Sequence, residues 1–183
     1  MSIERRELFR ILGAAALAER AGAQHHHAGN GAPSPAKLRF FSEHENRLVE
    51  EFSDVILPAD AHSPGAKQAG VSRLIDLVLH YGDAPAREAW KRAMEAVDAE
   101  ARSRHGKPFS GCARHEQEQI VAGMAGNEGR PGTELERFFE QIKALTIEMY
   151  HYSKIGLEAD MGYKGPNALE DFPGCTHPEH QQP

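Results

Sequence analysis

Leu135-Glu136-Arg137-Phe138-Phe139-Glu140-Gln141-Ile142-Lys143-Ala144-Leu145-Thr146-Ile147-Glu148-Met149-Tyr150-His151-Tyr152 is the stretch that decides the fold. Leu135, Phe138, Phe139, Ile142, Leu145, Thr146, Met149 and Tyr152 recur at steps of three and four, which gathers them on one face of an α-helix. A stripe that long needs an apolar surface to lie against. Upstream, Ser42-Glu43-His44-Glu45 has the spacing of a capping box and predicts a helix start. Leu48, Phe52, Val55 and Ile56 then share a face, and Pro58 ends the segment. A second, short helix is predicted around Leu74, Ile75, Leu77, Val78 and Tyr81. Asp83 caps a third, in which Trp90, Ala93, Met94, Val97 and Ala101 line up before Gly106, and a fourth lies around Glu116–Met124. The acids Asp98, Glu100, Glu116 and Glu118 read as solvated helix faces. No stretch alternates like a strand for more than a few residues, and no long internal repeat occurs. Helices with one apolar face each must bury those faces against one another, so the expectation is a single small all-α domain of about five helices.

That domain is expected over residues 38–155. Residues 24–37, made of His, Gly, Pro, Ser and Ala with a few polar neighbours, read as a flexible linker. After Lys154 the helical pattern breaks. Residues 156–183 carry Gly156, Gly162, Gly165, Pro166, Pro173, Gly174 and Pro178 and are expected to form an irregular C-terminal tail. Met161, Tyr163 and Phe172 within it predict docking onto another surface, with Met161, Tyr163, Pro166 and Phe172 as contacts and Lys164 as a rim charge.

The first two dozen residues read as an address. Arg5-Arg6 precedes a short apolar run, Ile11-Leu12-Gly13-Ala14-Ala15-Ala16-Leu17-Ala18, which closes on Ala21-Gly22-Ala23. Paired arginines, a brief hydrophobic segment and a small-x-small exit are the parts of a twin-arginine export signal over residues 1–23. The run is too short to span a bilayer, which takes roughly 20 apolar residues. The other reading is the start of an amphipathic helix, since Glu19 and Arg20 interrupt the apolar region. The expected location is the periplasm, reached by the twin-arginine route, and no later segment is apolar enough to act as an anchor.

Cleavage after Ala23 leaves 160 of the 183 residues, lowers Lys and Arg from 21 to 17 and Asp and Glu from 27 to 24, and gives a formal charge of −7. An acidic chain of that size argues against nucleic acid, whose phosphates need a basic face. The chain has two cysteines, Cys112 and Cys175, each after a glycine. In an oxidising compartment an even pair suggests one internal disulfide, with about 4 kcal/mol of stabilisation by loop-entropy arithmetic. A bond from one of them to a partner subunit is the alternative, because sequence fixes no connectivity.

Three constellations bear on chemistry, and each has a plainer reading. Tyr150 and Lys154 have the Tyr-x-x-x-Lys spacing of short-chain dehydrogenases, but a dinucleotide fold with its glycine-rich turn is lacking, so a core tyrosine and a surface lysine are expected. Cys175, His177, Glu179 and His180 resemble a metal cluster without a second anchored group of ligands, and His25-His26-His27 sits on the linker. No haem-attachment motif, nucleophile elbow or P-loop occurs. The expectation is therefore no catalytic, cofactor-binding or metal-binding residue in this chain.

The arginine pair, Ile56-Leu57-Pro58-Ala59-Asp60, Ser63-Pro64-Gly65-Ala66-Lys67, Gly70-Val71 and Ile75-Asp76 together resemble the gluconate 2-dehydrogenase subunit 3 family. Gly156-Leu157-Glu158-Ala159-Asp160-Met161-Gly162-Tyr163-Lys164-Gly165-Pro166 resembles that family's closing region, so the likeness spans roughly residues 40–175. The resemblance implies a small, non-catalytic subunit of a periplasmic dehydrogenase complex that supports export and stability of a large flavoprotein subunit. That partner would be of the glucose-methanol-choline (GMC) type, hold FAD and oxidise a sugar, sugar acid or glycoside. A cytochrome c subunit often takes the electrons in such complexes. A free-standing periplasmic enzyme and an assembly chaperone released after export are the competing classes.

Overall fold

The computed structural model describes residues 37–61 and 63–163, and these form five α-helices with two short helical turns. The helices are α1 (Glu43–Ile56), α2 (Val71–His80), α3 (Ala84–His105), α4 (Arg114–Ala125) and α5 (Glu134–Tyr152). A 3₁₀ turn at Phe109–Gly111 joins α3 to α4, and a π turn at Gly156–Asp160 follows α5. No strand occurs among the described residues, and no helix there is long and apolar enough to cross a membrane. The all-α reading holds.

Local chemistry explains the helix ends. The Ser42 hydroxyl accepts the Glu45 N–H at 3.3 Å while the Glu45 carboxylate accepts the Ser42 N–H at 2.7 Å, the reciprocal box read from the sequence. Thr133 and Glu136 repeat the device at α5, with bonds of 3.2 and 2.8 Å. Asp83 caps α3 through the Ala86 N–H at 2.7 Å, and Gly106 ends it in the left-handed conformation at φ 73°. The second helix begins earlier than its apolar pattern indicated. Gly70, at φ 67°, turns the chain so that α2 starts at Val71.

Helix α5 packs against each of the other four, as the length of its stripe required. At the centre Phe138 meets Phe52 of α1 and Trp90 of α3 edge-on, with ring centroids 5.8 and 5.1 Å apart. Phe52 also stacks at 5.3 Å on Phe109 of the 3₁₀ turn, so three helices and a turn close around one aromatic cluster. Each such ring contributes on the order of 2–3 kcal/mol through burial. One assignment within the stripe changes. Tyr150 is the deeply buried tyrosine of α5 and Tyr152 is half-buried.

A second correction concerns Asp98, which lies in the core rather than on a solvated face. Its carboxylate accepts the Phe109 N–H at 2.9 Å, meets His44 Nε2 at 2.5 Å and pairs with Arg102 at 3.2 Å. Helix periodicity alone cannot distinguish a solvated acid from one recruited to satisfy the turn that follows its own helix. Asp76 does comparable work on α2. It accepts the N–H groups of Arg39, Phe40 and Phe41 at 2.9, 2.9 and 2.7 Å and clips the entering chain onto the bundle.

Candidate functional site

The connection between α1 and α2, residues 57–70, is built to hold one shape. Asp60 accepts the Ser63 N–H at 2.7 Å and donates its own N–H to the Ser63 carbonyl at 2.9 Å. The Ala66 N–H returns to the Leu57 carbonyl at 2.8 Å and closes the loop. A side chain on Gly65 would start 2.4 Å from the Ala59 nitrogen and 2.8 Å from the Pro58 carbonyl carbon. The loop therefore closes only around a glycine.

The other end of the domain meets this loop. Tyr150, 1 % exposed, shares a hydrogen bond between its hydroxyl and that of Ser63. Three residues on, Ser153 turns extended, at ψ 152°, and stops α5. Its hydroxyl donates to the Tyr150 carbonyl at 2.6 Å and accepts the Gly156 N–H at 2.9 Å. The Leu157 N–H returns to the Ser153 carbonyl at 3.0 Å, and the Tyr163 N–H to the Leu157 carbonyl at 2.9 Å. Gly156 lies so close to the helix end that an added Cβ would sit 2.0 Å from the Tyr150 oxygen. The first residues of the tail are thus wound tightly against α5, and the chain then presents Met161 and Tyr163 to solvent, 63 % and 50 % exposed. Of the expected docking residues these two lie within the described residues; Lys164, Pro166 and Phe172 lie outside them, as do Arg5, Arg6 and Cys175.

Beside the same loop runs an open groove of about 570 Å³, walled by Asp54, Pro58, Ala59, Lys67, Cys112 and Arg114. Its charges are satisfied within the wall. Lys67 pairs with Glu51 at 2.6 Å, which holds its ammonium above the ordinary lysine range. Arg114 reaches the Asp54 carboxylate at 2.6 Å and the Asp54 carbonyl at 2.9 Å. Cys112 points its thiol at the Pro108 carbonyl, 3.5 Å away. Burial first, and then the neighbouring Glu116 carboxylate, push that thiol above its usual range, so it has little thiolate character near neutral pH.

The Tyr-x-x-x-Lys spacing has the plainer meaning. The phenol of Tyr150 is bonded to Ser63, while the Lys154 side chain is 84 % exposed and lies 3.9 Å from Glu158. Among the described residues no group of three or more His, Cys, Asp or Glu is placed to hold a metal ion, and the cluster at Cys175, His177 and His180 lies outside them. Sequence reasoning missed the Ser63–Tyr150 junction. The available signal was a serine inside a Pro- and Gly-rich loop together with a tyrosine near the end of the longest stripe, two features 87 residues apart.

The model of one protein family, described as Gluconate 2-dehydrogenase subunit 3, matches residues 43–167. The match begins at α1 and runs past the exposed pair at the root of the tail. Neither the curated proteins nor the solved structures yield a match.

Proposed function

Because the chain belongs to the gluconate 2-dehydrogenase subunit 3 family and so serves a dehydrogenase complex, we propose that it is the non-catalytic small subunit of a periplasmic, FAD-dependent dehydrogenase. Its large partner in this reading is a flavoprotein of the GMC type that oxidises a sugar, sugar acid or glycoside. FAD resides in that partner, and a cytochrome c subunit is a further candidate member. The small subunit supplies the export signal at Arg5-Arg6 and a docking surface. A flavoprotein that must fold around FAD before export, and that lacks its own signal, crosses only while attached to a chain that has one.

The observation that carries this reading is the root of the tail. A segment wound firmly on α5 ends by presenting Met161 and Tyr163 to solvent, two large apolar side chains at the mouth of a Gly- and Pro-rich extension. Methionine and aromatic side chains at such a position are the usual anchors of a protein interface, and a fixed root lowers the entropy lost on docking. The test is purification of this chain from the periplasm. The partner should appear with it as a large subunit with flavin absorbance, in constant ratio. Recovery of the chain alone under conditions where the dehydrogenase is active would overturn the reading.

A further inference from the structure

We propose that Met161 is a site of reversible oxidation, at which a hydroperoxide converts the thioether to its sulfoxide and so withdraws an undocked chain from assembly. The consequence rests on the docking role proposed for the root of the tail; the modification itself does not.

Three observations carry it. Among the described residues the methionines fall into two groups. Met94, Met124 and Met149 are at most 4 % exposed and belong to the core, whereas Met161 is 63 % exposed. A buried thioether meets a dissolved oxidant only when the helices around it open, and an exposed one meets it in the native state. The second observation is how Met161 is held. Its N–H closes the π turn on the Gly156 carbonyl at 3.3 Å, and the Tyr163 N–H returns to the Leu157 carbonyl at 2.9 Å. These bonds fix the backbone on both sides of Met161 without using its sulfur, so a change at the sulfur leaves the turn in place. The third is the neighbour. Tyr163, two residues on, is itself half exposed, so the sulfur belongs to an apolar pair facing solvent. Oxidation replaces the flexible apolar member of that pair by a polar one whose oxygen needs a donor. Buried under a partner without a donor, that oxygen weakens docking about tenfold.

The step balances with the hydroperoxide as oxidant. A lone pair of the Met161 sulfur attacks the distal oxygen, the O–O bond breaks as the S–O bond forms, and the proton of the attacked oxygen passes to the departing one. Hydrogen peroxide leaves as water, an organic hydroperoxide as its alcohol. Sulfur loses two electrons and the peroxide gains them. A methionine sulfoxide reductase reverses the change with a dithiol, which becomes a disulfide while the oxygen leaves as water. Docking covers Met161, so the reaction acts on free chains and spares assembled ones.

The experiment has two arms. In the first, the complete chain is treated with hydrogen peroxide, sampled over time and mapped by peptide mass. Met161 should gain an oxygen at least about tenfold faster than Met94, Met124 or Met149, with helicity unchanged. Retention on a hydrophobic-interaction column should fall in step and return after methionine sulfoxide reductase, and the retention of Met161→Leu should not respond to peroxide. Oxidation of Met161 no faster than of the three core methionines overturns the proposal, as does an oxidised chain with unaltered retention. In the second arm the complex isolated from cells receives the same treatment, and Met161 should be protected. Oxidation there at the free-chain rate, with the complex intact, overturns the docking consequence. A chain recovered with no partner overturns the proposed function and that consequence with it, while the first arm still decides the modification.

Discussion

The hydroxyl of Tyr150, near the C-terminal end of α5, is hydrogen-bonded to the hydroxyl of Ser63, 87 residues earlier in the loop between α1 and α2. This bond ties the loop between α1 and α2 to the last turn of α5. Tyr150→Phe keeps the ring in the core and removes only the bond. It should cost about 1–1.5 kcal/mol in urea unfolding and speed amide exchange at Ser63 and Ala66. Ser63→Ala should cost a similar amount, and the double variant little more than either. Additive losses would show that the two hydroxyls are not coupled.

Gly156→Ala places a methyl group 2.0 Å from the Tyr150 carbonyl oxygen, so the π turn must move. The expected loss is above about 2 kcal/mol locally, read as rapid proteolysis between Ser153 and Tyr163 with the five helices intact by circular dichroism. Gly111→Ala is the control, since its nearest contacts would be ordinary ones at 3.7 and 3.8 Å.

Asp76→Ala leaves three N–H groups without their acceptor, those of Arg39, Phe40 and Phe41. The cost should be about 2–4 kcal/mol. Asp76→Asn retains one oxygen acceptor and should lose roughly half as much. Chemical denaturation of both variants provides the comparison, and a loss under ~0.5 kcal/mol for the alanine variant contradicts the clip.

Acid should unfold the domain through carboxylates held below their ordinary value. Lys107 and the Ala113 N–H lower Glu116; the Thr133 N–H, Asn127 and the Gly132 N–H lower Glu136. Burial raises Glu45, but Lys91 and Ser42 outweigh it and leave its carboxyl depressed. The native state thus binds fewer protons than the unfolded chain, in which these groups titrate near 4.5. Their contribution is complete above that pH and disappears as pH falls through the lower native values. Melting temperature should be level from pH 7 to about 5 and fall steeply below 4.5, with a shallower fall in Glu136→Gln.

Under the proposed function, changing Arg5 and Arg6 to lysine should leave this chain and the proposed flavoprotein partner in the cytoplasm, as read by fractionating the cells. Ending the chain after Tyr163 should leave helicity unchanged and abolish copurification. The cut belongs there rather than after Lys154, because residues 156–160 are wound on α5. An unchanged pull-down would move the interface onto the helices.

The helices were legible because each has a local cause. Ser42, Asp83 and Gly106 announce their caps, and the stripe from Leu135 announces a central helix. Asp98 was misread because its partners, His44 and the Phe109 N–H, are 54 and 11 residues away and leave no periodic trace. The Ser63–Tyr150 junction was invisible for the same reason. Met161 and Tyr163, by contrast, stood out as apolar side chains in a segment too rich in glycine to bury them.

The Asp76 clip also has a mechanical side. Any pull on the chain ahead of Lys37 reaches the domain first at three parallel hydrogen bonds on α2, before it touches the first turn of α1. From α2 the tension passes through packed side chains and the 57–70 loop, across Ser63 to Tyr150, and so to the root of the tail. Under the proposed function, a tug applied at the leader and a cargo held at the tail would therefore be connected through the folded body of the domain, by a route that does not require any helix to unwind.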